Sequence, residues 1–76
     1  GRRVPLDTIE QGKLILNKLK EQKIEIQGGE VDLMLMDYRS GPYIEIRARW
    51  KEGNEDPRIK VDDLASMAIE LVKQLK

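Results

Sequence analysis

The chain contains no cysteine and no histidine, and it has no phenylalanine. The first two absences exclude a disulfide framework, thiolate and imidazole metal sites, and every nucleophile–histidine arrangement. Only carboxylates remain as metal ligands, and they are scattered, without the D-x-D-x-D-G spacing of a calcium loop. No metal, no cofactor and no enzymatic activity is expected. Net charge is absent too, because 14 Lys and Arg face 14 Asp and Glu. No bulk field therefore draws the chain to nucleic acid or to a membrane surface; only a local patch can. Apolar runs fall far short of the roughly 18 residues of a membrane span, and no secretion signal is visible. The expectation is a non-membrane, intracellular protein, cytoplasmic or nuclear.

Seventy-six residues form one domain, 1–76, because a chain this short holds a single core. It buries only about 60% of its unfolded surface, so its stability is marginal unless packing is good or a partner helps. The pattern predicts a helix from Asp7 to Gln22, capped by Asp7 or Thr8 with Glu10 or Gln11 reaching back. Ile9, Gly12, Leu16 and Leu19 share a stripe, with Ile15 beside it and Leu14 outside it. Gly12 costs about 1 kcal/mol inside a helix, which suggests either close packing there, the slightly favoured reading, or simple tolerance of the cost.

Alternation then predicts strands over Lys23–Gln27, Glu30–Tyr38 and Tyr43–Trp50. Gly28-Gly29 turns the chain between the first two, and Ser40-Gly41-Pro42 between the second and third. Ile44, Ile46, Ala48 and Trp50 make one face of the last strand, a core face. After a polar loop, Arg58–Val61 reads as a short edge strand, with Ile59 and Val61 inward. Asp62 caps a final helix, Asp63–Leu75. The fold class is α+β: a helix, a three- or four-stranded antiparallel meander, and a C-terminal helix, with the helices on one sheet face.

If the leucines of the second strand face the core, its opposite side carries Met34, Met36 and Tyr38, and the next strand adds Tyr43, Arg47 and Arg49. Tyrosines stack on bases, and arginines stack and contact phosphate. The leading expectation is non-sequence-specific binding of single-stranded DNA or RNA through Tyr38, Tyr43, Arg47 and Arg49, with Arg39 and Lys51 at the rim. Two other readings stay open. Tyr–Arg neighbours are ordinary cross-strand partners and Glu45 can pair with the arginines, or the Met/Tyr face meets a protein. The last helix is apolar over more than the roughly 100° that one packing surface needs. A homodimer through Met67, Leu71 and Leu75 is the simplest way to bury it.

The run from Asp37 through Tyr43-Ile44-Glu45-Ile46-Arg47 to Trp50, then a Gly/Pro loop and a terminal helix, resembles the positive-cofactor type of single-stranded-DNA-binding transcriptional coactivator. The resemblance covers about Ile24 to Leu75. It implies a homodimer that binds melted or single-stranded DNA across curved sheets, with Arg47 and Trp50 as the closest matches. The N-terminal helix, the Gly28-Gly29 turn and the low Lys/Arg density depart from that family. The helix–strand order is also similar to double-stranded-RNA-binding domains. Yet Val61-Asp62-Asp63-Leu64 places two acids where that family sets lysines against phosphates.

Overall fold

The computed structural model of the protein describes residues 1–22, 29–53 and 56–75. In chain order its elements are β1 (Arg2–Pro5), α1 (Ile9–Lys20), β2 (Gly29–Tyr38), β3 (Gly41–Trp50) and α2 (Pro57–Gln74). The three strands form one antiparallel sheet in the order β1-β3-β2. The architecture is α+β with both helices on one sheet face. Inward residues of all three strands (Val4, Val31, Ile44, Ile46) share a single buried cluster with Ile15, Leu19, Val61, Leu64, Ala65 and Ala68 of the helices.

Helix α1 begins where its capping chemistry dictates. The Thr8 side-chain oxygen accepts from the Gln11 backbone N–H at 3.1 Å, and Gln11 Oε1 accepts from the Asp7 N–H at 2.8 Å. These bonds satisfy two backbone donors at the helix start, as in a capping box. Gln11 is buried, and its Nε2 also donates to the Val72 carbonyl of α2 at 3.4 Å.

Gly12 confirms close packing. A Cβ built there would lie 2.6 Å from Cδ1 of both Leu35 and Leu6. Alanine gains about 1 kcal/mol of helix propensity but forces an overpacking cost of about 1–3 kcal/mol. Gly12→Ala should therefore lower stability despite the better helix former, and Gly12→Val more so. Urea unfolding of the two variants checks the order.

The sheet differs from the sequence expectation at both ends. Arg2–Pro5 forms the edge strand β1, to which no element was assigned. The Leu6 N–H extends its ladder to the Pro42 carbonyl at 3.0 Å. The expected strand Lys23–Gln27 and the Gly28 half of its turn lie outside the described residues; Gly29 already belongs to β2. The expected turn at Ser40-Gly41-Pro42 sits one residue earlier, at Arg39 and Ser40, because Tyr38 pairs with Gly41. Gly41 takes φ +119°, open to glycine and costly to other residues.

The expected edge strand Arg58–Val61 and the Asp62 cap are corrected. Those residues are the opening turns of α2, which is capped by Asp56 with Pro57 following. Proline lacks an N–H and has φ fixed near −65°, so it suits the first helical turn and not a paired strand. Ile59 consequently points to solvent, 64% exposed, while Val61 is buried. Trp50, expected in the core, is 52% exposed at the strand end, where its indole N–H donates to the Gly53 carbonyl at 3.3 Å.

Asp56 accepts from the Arg58 backbone N–H at 2.9 Å, and the Arg58 guanidinium clamps both its oxygens. The side-chain bond from Arg58, then its backbone N–H, hold the Asp56 carboxyl below its ordinary 3.8. A carboxyl with a depressed folded pKa stabilises the fold above its unfolded pKa, and loses that contribution as pH falls through the folded value. Asp56→Asn should lower stability slightly at neutral pH, where the ionised carboxylate contributes, and leave it nearly unchanged at the acid end, which flattens the limb below about pH 4. Thermal melts across that range check it.

Candidate interaction surface on the outer sheet face

Strand residues alternate between faces. The β2–β3 register pairs Leu33 with Ile46 and Leu35 with Ile44 on the helix side. The outer side then carries the pairs Glu30–Arg49, Asp32–Arg47, Met34–Glu45 and Met36–Tyr43, with Tyr38 at the turn end. β1 adds Arg3 beside Glu45 and Pro5 beside Tyr43. Among the described residues no element covers this face.

The face has two zones. Toward the Arg39–Ser40 turn it is apolar and aromatic: Pro5, Met34, Met36, Tyr38 and Tyr43. The Tyr38 and Tyr43 rings lie 5.7 Å apart, tilted by 40°. The Arg3 guanidinium lies over Tyr43 at 5.2 Å from its ring centroid, a cation–π contact. Toward the other end the face is charged, and its charges are matched. Arg49 lies 3.2 Å from Glu30, with Lys51 3.8 Å from the same carboxylate. Between the zones sits Glu45, only 8% exposed on a nominally solvent face. It accepts from Arg47 Nη2 at 3.2 Å, and Arg3 Nε lies 3.7 Å away. Within the three strands, three arginines face three carboxylates.

The structure thus brings Tyr38, Tyr43, Arg47 and Arg49 onto one surface, with Lys51 at its end. Arg39 occupies the turn and has no ion pair among the described residues. Trp50 has the parity of the helix side, so it does not share a face with Arg47. Arg3 and Pro5 were missed. Four residues with Val4 as their single buried side chain carry too little pattern to mark such a short strand. On α2, Met67 and Leu75 are exposed, whereas Leu71 is half-buried against the core and offers less to a partner.

Elsewhere, a cleft of about 400 Å³ is lined by Gly1, Arg2, Ala48, Arg58, Val61 and Asp62. Its charged groups are engaged: Arg2 with Asp62 at 3.0 Å, and Arg58 with Asp56 at 2.7 Å. Among the described residues no cluster of three His, Cys, Asp or Glu is placed to hold a metal ion. No helix among them is long and apolar enough to cross a membrane. Comparison with protein-family models, with curated proteins and with solved structures yields no match.

Proposed function

We propose that the domain is a protein-interaction module whose docking surface is the outer sheet face, centred on Met34, Met36, Tyr38 and Tyr43. One observation carries the reading. The arginines of this face are held by carboxylates on the same face, while Tyr38 is exposed and Met34 and Met36 remain half-exposed beside it. Exposed ion pairs add only about 0–1 kcal/mol of stability. Their larger consequence here is electrostatic. A balanced surface releases few counterions from a polyanion, so the nucleic-acid reading loses most of its driving force. A protein partner gains by covering the apolar zone and finds matched charges at the rim, the usual anatomy of such interfaces. Methionine suits this role because its flexible thioether adapts to different partner shapes.

The test has two arms. Labelled single-stranded DNA of about 20 nucleotides, long enough for one or two sheet platforms, is titrated at low and at physiological salt. The expected result is weak binding even at low salt. Micromolar binding that falls steeply with salt would overturn the proposal and restore the nucleic-acid reading. In the second arm, peptides selected against the domain from a display library are retested on Met36→Lys and Tyr38→Ala. Loss of at least about tenfold in affinity, equivalent to roughly 1.4 kcal/mol, with little salt dependence, is expected. Equal binding to both variants would remove this face from the account.

A further inference from the structure

The apolar zone of the outer face does not stop at the sheet edge. Register sets Met36, Tyr43 and Pro5 side by side in one row across β2, β3 and β1. Pro5 is exposed at the end of that row, and it also lines a cleft of about 240 Å³ with Val4, Ile69, Val72 and Lys73. Ile69 is 39% exposed there, on the flank of α2 beside β1. One apolar lane therefore runs across the strands from Met36, over the β1 edge, to α2.

The lane has a definite width and a definite charge. Along the strands it is closed on one side by the next row, Met34–Glu45–Arg3, and on the other by the Arg39–Ser40 turn. Two residues of a strand span about 7 Å, so the open lane with Tyr38 has close to the roughly 10 Å width of a single helix. Cations stand around it. Arg3 shares Glu45 with Arg47. Arg39 at the turn and Lys73 at the α2 end have no ion pair among the described residues. Asp37, the carboxylate nearest the turn on β2, is set opposite Pro42 and has the parity of the helix side.

We propose that the partner segment is an acidic amphipathic helix lying across the strands, with its apolar stripe on Met36, Tyr43 and Pro5 and one bulky side chain seated between Pro5 and Ile69. A sheet face offers an incoming chain no backbone donors or acceptors, because these point along the sheet to neighbouring strands. The occupant must therefore satisfy its own backbone, which a helix does and a lone extended segment does not. A partner sheet aligned with these strands would cover the charged rows as well. Carboxylates on the flanks of the helix meet Arg3, Arg39 and Lys73, which orients it more than it tightens it. The lane spans two strand spacings and the step to α2, about 20 Å, or roughly 14 residues of helix. The inference rests on the interaction-module reading above and names its partner.

Two peptide display libraries of that length, selected against the domain, provide the test. One fixes an apolar stripe at i, i+3, i+4 and i+7 with Glu, Lys, Gln and Ala elsewhere. The other alternates apolar and polar residues from the same set. Binders should come from the helical library, carry more Glu than Lys, and lose about tenfold or more in affinity on both Met36→Lys and Ile69→Lys. Ile69→Gln, a milder change at the same exposed site, should weaken them in the same direction. Ile59→Lys, near the other end of α2, should not. Against a domain carrying Arg39→Glu and Lys73→Glu, selection should change the flanks from Glu to Lys.

The outcomes separate the helical partner from the reading beneath it. Binders that need Met36 but ignore Ile69, or that come from the alternating library, would overturn the helix across the edge and keep the outer face as the docking surface. Binders indifferent to Met36 would overturn both. Equal use of Glu and Lys would overturn the acidic partner. Binders from neither library, or self-association of the domain that Met36→Lys abolishes, would also overturn the proposal, the latter by giving the lane to a second copy.

Discussion

Ile46→Ala should leave the chain largely unfolded at room temperature. Ile46 is fully buried in β3, the central strand, with Leu33 opposite it on β2 and Arg2 on β1. Truncation of such a side chain to alanine costs about 2–5 kcal/mol in lost transfer energy and residual cavity. A domain this small has only about 3–5 kcal/mol from its core, so the loss is comparable with the whole stability. The control is Ile59→Ala, which deletes the same atoms from the solvent side of α2. Its expected effect is within about 0.5 kcal/mol. Urea titrations followed by circular dichroism distinguish the two. A folded Ile46→Ala would mean that the core collapses around the gap, or that a partner supplies stability. A large effect at Ile59 would mean that residues 58–61 are not a solvent-facing helical turn.

That pair of variants also marks where sequence reading succeeds and where it stops. β3 was legible because alternation extends over the eight residues Tyr43–Trp50, and Ile44 and Ile46 can face only one way. Helix α1 was legible because Thr8 and Gln11 carry a capping signature ahead of an apolar stripe. The start of α2 was misread for a physical reason. Ile59 and Val61 alternate as in a strand, and over four residues that pattern cannot be told from a helix whose Ile59 is exposed. Asp56-Pro57 held the better signal, an N-cap followed by the residue that opens helices. The short β1 was hidden because four residues with one buried side chain generate almost no periodicity. On the outer face, strand parity revealed which side chains meet. It did not reveal that Arg3 arrives from β1, so that Glu45 is held by arginines from two strands.

Replacing Glu30 and Glu45 together by glutamine should convert the outer face into a single-stranded DNA binder. Those two carboxylates hold Arg3, Arg47, Arg49 and Lys51. Glutamine keeps the shape and, at the buried Glu45 position, an acceptor oxygen for the arginines, whose own side chains are largely exposed, so the fold should persist. What changes is the field: the strands pass from three arginines against three carboxylates to three against Asp32 alone. Each cation that neutralises a phosphate on a single strand contributes about −0.7 to the slope of log K against log salt, so four engaged cations give a slope near −3. Tyr38, half-exposed beside Tyr43, then offers bases a ring to stack on. Anisotropy titrations of the same labelled DNA at several salt concentrations measure both affinity and slope. If affinity rises about tenfold or more at low salt, the carboxylates are what keep polyanions away, and the face is specialised by charge balance. If neither affinity nor slope moves, the arginines are not presented to phosphate at all. The surface then owes its function to its apolar zone alone.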